Sequence, residues 1–116
     1  MLKRVLAVDD DDMNLMRIKK ILRTEYDVFF ASSGVEALDT MKREQMDLVL
    51  LDIEMPRMNG FETFERMKEF APDTPVIFLT ASGQEDDVVS AIRLSPVNYL
   101  KKPFPPQDLI LPISHV

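Results

Sequence analysis

Short apolar runs alternate with longer amphipathic stretches along this chain. Val5-Leu6-Ala7-Val8 is a continuous apolar run ending at Asp9, the pattern of a short buried strand. From about Met13 to Arg23, Leu15, Ile18 and Leu22 fall on one face with Ile21 beside them, which predicts an amphipathic helix. Asp27 to Ala31 predicts a second strand. Ser33, with Glu36 three residues on, matches a capping box in which both residues satisfy orphan backbone donors. It opens a helix through Ala37, Leu38 and Met41 to about Arg43. Leu48 to Leu51 is the third strand, ending at Asp52, and Pro56 and Asn59-Gly60 mark a turn-rich loop after it. The next helix sets Phe61, Phe64, Met67 and Phe70 on its apolar side, with Glu62, Glu65, Arg66 and Lys68 outward, until Pro72 and Pro75 break it. Val76 to Leu79 is the fourth strand, ending at Thr80. A fourth helix is expected from about Glu85 to Leu94, then a fifth strand from Val97 to Leu100, followed by Lys101-Lys102-Pro103. Gln107 to Leu111 makes a last short helix before Pro112.

Repeated strand-then-helix units predict an α/β fold, a parallel sheet with helices on both faces. The strands read as unbroken apolar runs, as they do when both faces are covered. The 116 residues fit one domain spanning the whole chain. With 14 basic and 20 acidic residues the net charge is −6, which argues against non-specific nucleic-acid binding by this domain. There is no cysteine and a single histidine, His115, near the C-terminus. That excludes disulfides, thiolate zinc sites and cysteine catalysis, and disfavours a Ser-His-Asp triad. No run approaches the ~18 apolar residues of a membrane span. The first apolar run is too short for a secretory signal and leads into four aspartates, so a cytoplasmic location is expected.

In open parallel α/β sheets, ligands bind at the carboxyl ends of the strands. Here those ends carry Asp9-Asp10, Asp52, Thr80-Ala81-Ser82 and Lys101-Lys102. The glycines, Gly34, Gly60 and Gly83, fit neither a dinucleotide fingerprint nor a P-loop. Three carboxylates at one edge repel unless a counter-charge joins them. Mg²⁺ takes oxygen ligands and keeps positions open for phosphate oxygens. A carboxylate beside it is then a candidate nucleophile forming an aspartyl phosphate, with Thr80 and a lysine offered to the phosphoryl oxygens. Each residue also has a plainer reading. Asp9 and Asp10 taken alone are as readily helix caps as metal ligands, although Asp11 and Asp12 are better placed for the cap. Thr80 alone is a β-branched strand end, Tyr99 alone a packing residue, and Lys101 and Lys102 alone solvated charges.

Four blocks together change this balance. Val8-Asp9-Asp10, Leu51-Asp52-Ile53-Glu54-Met55-Pro56-Arg57-Met58-Asn59-Gly60, Leu79-Thr80-Ala81 and Tyr99-Leu100-Lys101-Lys102-Pro103-Phe104 each stand at a strand end. In this order they resemble the receiver domain of two-component response regulators, over residues 8 to 104. The resemblance implies a flavodoxin-like sheet of strand order 2-1-3-4-5. It implies Asp52 as phosphoacceptor and a Mg²⁺ ion held by Asp10, by Asp9 directly or through water, by Asp52 and by the backbone carbonyl of Glu54. Thr80 matches the switch hydroxyl, Tyr99 the switch aromatic and Lys102 the phosphoryl-binding lysine, aimed by a Lys102–Pro103 bond that is usually cis in the family. The implied partner is a sensor histidine kinase or phosphotransfer protein. The implied output and homodimer face is built from the fourth helix, fifth strand and fifth helix. No enzymatic turnover, direct nucleic-acid contact or membrane attachment is expected.

Two departures from the family pattern stand out. Ser95-Pro96 replaces the usual Gly-Ala before the fifth strand. Pro105, Pro106 and Pro112 bracket the last helix, which is therefore expected to be short or broken after about residue 111. Two alternatives remain at this stage. One is a receiver-like interaction module that is not phosphorylated. The other is a phosphatase working through an aspartyl phosphate, for which Glu54 stands where a second aspartate would serve as general acid.

Overall fold

The computed structural model describes residues 2–55, 57–80, 98–101 and 106–107, and of 98, 99 and 101 the backbone alone. Five strands form one parallel sheet: β1 (Lys3–Val8), β2 (Tyr26–Ala31), β3 (Leu48–Asp52), β4 (Val76–Thr80) and β5 (Asn98–Lys101). Their order is β2-β1-β3-β4-β5, as expected. Among the described residues, three helices lie between them: α1 (Asp12–Leu22), α2 (Gly34–Arg43) and α3 (Gly60–Met67).

Successive residues of a strand point to opposite faces, and both faces are covered here. On one, Val5, Ala7, Leu48, Leu50, Ile77 and Leu79 pack with Leu15, Ile18 and Leu22 of α1. On the other, Leu6, Val8, Val49, Leu51, Val76 and Phe78 pack with Ala37 and Met41 of α2 and Phe64 and Met67 of α3. That double burial is why these strands carry no polar alternation. Phe78 is fully buried, with the rings of Phe61 and Phe64 at centroid distances of 5.2 and 5.3 Å.

Each helix starts on a polar side chain that accepts from an otherwise unpaired backbone N–H. Asp11 accepts from Met13 N, Ser33 from Glu36 N and Asn59 from Glu62 N. Asp11 is thus the cap of α1, which leaves Asp9 and Asp10 for other work. Replacing Asp11 with Ala should cost about 1 kcal/mol of stability. Urea unfolding checks this, and an unchanged midpoint would speak against the cap.

Two sequence expectations need correction. The Glu36 carboxylate accepts from the Ser32 hydroxyl at 3.0 Å, one residue ahead of the expected capping-box partner. Phe70 does not extend the apolar side of α3. The helix ends at Met67, and Glu69 N and Phe70 N donate to the carbonyls of Arg66 and Met67 three residues back. This tighter turn rotates Phe70 outward, where it is 38% exposed and lies under Lys42 Nζ at 5.5 Å. The expected fourth helix and most of the last one lie outside the described residues, although Pro106 and Gln107 are helical.

Candidate functional site

The carboxyl ends of β1 and β3 are adjacent because these strands pair directly, with Val8 opposite Leu51. The residues after that pair are Asp9-Asp10 and Asp52. Asp9, Asp10 and Asp52 each offer a carboxylate oxygen, and these oxygens lie within 4.8 Å of one another. Asp9 and Asp52 are buried, at 1% and 5% exposure, while Asp10 is exposed. Buried carboxylates need partners. Asp9 Oδ1 accepts from Asp11 N at 2.9 Å, and its Oδ2 from Asn14 Nδ2 at 3.2 Å. These bonds fix the Asp9 carboxyl, and its backbone N–H is held by the Ala31 carbonyl at 3.1 Å.

Asp52 ends β3 opposite Leu79, and Ile53 N donates to the Leu79 carbonyl at 3.2 Å. Thr80, fully buried, closes β4 at the same edge, paired in register with Lys101. Glu54 lies two residues beyond Asp52 with its side chain exposed. Among the described residues every buried side-chain nitrogen or oxygen has a partner. The structure therefore brings Asp9, Asp10 and Asp52 together and sets Thr80 at the same edge. The backbone of Tyr99 pairs with Phe78 in the sheet; its side chain and Lys102 lie outside what is described.

Two further residues contribute without a sequence motif for that role. Asn14 orients Asp9, and its position on the first turn of α1, five residues on, was the only available signal. Gly60 sits against the backbone of Asp52: a Cβ there would fall 2.9 Å from Ile53 Cα and overlap the Asp52 carbonyl oxygen.

An all-oxygen cluster of this kind suits a hard divalent cation rather than a soft one. No helix among the described residues is long and apolar enough to cross a membrane. The sequence model of the response regulator receiver domain matches residues 5–114. The chain is 38% identical over 111 residues to the transcriptional regulatory protein CrdR of Helicobacter pylori, covering 94% of this chain and 52% of that protein. It is 36% identical over 113 residues to the response regulator SaeR of Staphylococcus aureus, covering 96% of this chain and 49% of that one. The chain thus spans about half the length of these curated relatives. Among solved structures, a response regulator receiver domain protein from Clostridium thermocellum superimposes with a TM-score of 0.92 at 32% identity, covering 98% of this chain and 93% of that one. With this sheet order, the aspartate cluster at its edge and a match over nearly its full length, the chain belongs to the response regulator receiver domain family of two-component systems.

Proposed function

We propose that the chain is a phosphorylatable switch in which Asp52 accepts a phosphoryl group from a sensor histidine kinase or phosphotransfer protein. The observation that carries this reading is the clustering of three carboxylates within 4.8 Å at the edge of the sheet. Asp9, Asp10, Asp52 and the backbone carbonyl of Glu54 would hold Mg²⁺. When bound, the ion neutralises charge on the carboxylates and on the incoming phosphoryl oxygens. A carboxylate oxygen of Asp52 attacks phosphorus, and the P–N bond of the donor phosphohistidine breaks with its electron pair passing to the imidazole. The reaction needs little beyond positioning and charge neutralisation. Thr80, buried at the end of β4, donates its hydroxyl to one phosphoryl oxygen, and Lys102 neutralises another.

The new charge then biases Thr80 and Tyr99 between two arrangements, changing a protein-binding face. That face, made by the fourth helix, β5 and the fifth helix, also serves homodimerisation. In this reading the domain spans 1–116. It acts in the cytoplasm, contacts no nucleic acid or membrane directly, and turns over no substrate other than its own phosphoryl group.

Incubation with a small acyl phosphate while Mg²⁺ is titrated tests this reading. One phosphoryl group should be added per chain, and labelling should disappear on chelation. Labelling that ignores Mg²⁺, or none at any Mg²⁺ concentration, would contradict it.

A second prediction concerns the charges themselves. Like charges about 5 Å apart repel by about 1 kcal/mol at water-like screening, and less with salt. Asp10→Asn should therefore raise stability slightly in chelator while weakening Mg²⁺ binding. Wild type should gain about 2.7 kcal/mol at a hundred times its Mg²⁺ Kd, and the variant should need more Mg²⁺ for the same gain. Thermal melts with and without Mg²⁺ read both effects. A variant less stable than wild type in chelator would mean that the three charges do not repel as described.

A further inference from the structure

Behind Asp52 the helices leave almost no space. Gly60 N donates to the Ile53 carbonyl at 2.9 Å, so the loop from Ile53 to Gly60 closes on itself. Within it Arg57 takes a φ of 69°, in the left-handed region that L side chains rarely occupy. The first residue of α3 lies so close to β3 that a Cβ on Gly60 would overlap the Asp52 carbonyl oxygen. One turn further along, at Thr63, α3 meets the first residue of α2. A Cβ on Gly34 would overlap Thr63 Oγ1 and lie 2.9 Å from Met58 Sδ. Thr63 is buried, and its hydroxyl donates to the Asn59 carbonyl at 3.0 Å. A β-branched side chain held in this way has little rotamer freedom with which to yield. Met58 ends in a flexible thioether and can move aside.

From this continuous contact we infer that Gly34, Thr63 and Gly60 form a steric relay setting the backbone position of Asp52, with Gly34 and Gly60 acting as positioning residues for the phosphoacceptor. The inference rests on the reading of Asp52 given above. Displacement of the start of α2 pushes Thr63, Thr63 moves the first turn of α3, and that turn bears on the Asp52 carbonyl. The carboxylate is carried by the same residue, so its approach to a phosphodonor changes although no ligand has been altered. A misplacement of about 1 Å at a reacting group costs up to about a hundredfold in rate.

The test compares Gly34→Ala, Thr63→Ala and the double variant in the full chain. Two quantities are read: the NMR amide and carbonyl shifts of Asp52 and Ile53 without metal, and the labelling rate at saturating Mg²⁺. Gly34→Ala should move both residues' signals and slow labelling about tenfold or more. The double variant, which removes the overlapping hydroxyl, should return both readouts toward wild type. A folded Gly34→Ala chain with unmoved Asp52 and Ile53 signals overturns the relay, as does a double variant no better than the single one. If Gly34→Ala does not fold, Thr63→Ala alone decides. Loosening the contact should move the Ile53 and Asp52 signals, and unmoved signals overturn the relay. Signals that respond in a chain whose wild type takes no label would leave the relay standing and remove Asp52 as phosphoacceptor.

Discussion

Asp52→Ala should abolish phosphorylation outright, leaving no mass increase under conditions that label the wild type fully. The substitution removes the attacking oxygen itself, so no concentration of donor or Mg²⁺ restores transfer. This separates it from Asp10→Asn, which keeps the nucleophile and weakens only the cation site; raising Mg²⁺ should recover much of its labelling. The contrast matters because both residues belong to one cluster, with oxygens within 4.8 Å. Asp52 stands at the end of a strand whose apolar residues stay in place, so the variant should still fold. Intact-mass measurement across a Mg²⁺ series distinguishes the two. Equal rescue of both variants by Mg²⁺ would mean that Asp52 is a ligand and another group is the acceptor.

Phe78→Ala should be the most damaging core substitution, costing about 3–5 kcal/mol. The ring is fully buried and meets Phe61 and Phe64 of α3, with interplanar angles of 53° and 74°. Truncation loses the transfer free energy of the ring, leaves a cavity and removes two aromatic contacts. Against a total stability of about 5–15 kcal/mol, this is a large share of what holds the domain folded. The loss reaches the site as well, because Phe78 lies two residues before Thr80 and pairs in register with Leu51, next to Asp52. Phe78→Leu, closer in volume, should cost less. Urea unfolding of both variants checks the order, and a loss below about 1.5 kcal/mol for Ala would mean that the core closes over the gap.

Most of the described fold was legible because the strands are buried on both faces. An uninterrupted run such as Leu48 to Leu51 has few other homes. Helix starts were legible at Ser33 and at the Asp11-Asp12 pair, of which Asp11 is the cap, because capping is local chemistry written in adjacent residues. Helix ends were harder to read. The Phe61-Phe64-Met67-Phe70 spacing continues through residues whose backbone has already tightened into a turn, and hydrophobic period alone does not register the change. The same split runs through the site. The three aspartates were legible as strand-end residues, and the cap of α1 falls on Asp11 rather than on Asp9 or Asp10. Asn14 was not legible, since orienting Asp9 depends on where α1 turns. Gly60 reads as a turn residue in sequence. Its closeness to the Asp52 carbonyl comes from packing between elements, which no local pattern encodes.

The most direct test of Asp52 as acceptor is to map the label in the wild-type chain. After reaction with an acyl phosphate and Mg²⁺, borohydride reduction converts a phosphorylated aspartate to homoserine, which tandem mass spectrometry locates. Homoserine at position 52 alone is the predicted result. Homoserine at another aspartate, or a fully labelled chain with an unmodified Asp52, would contradict it.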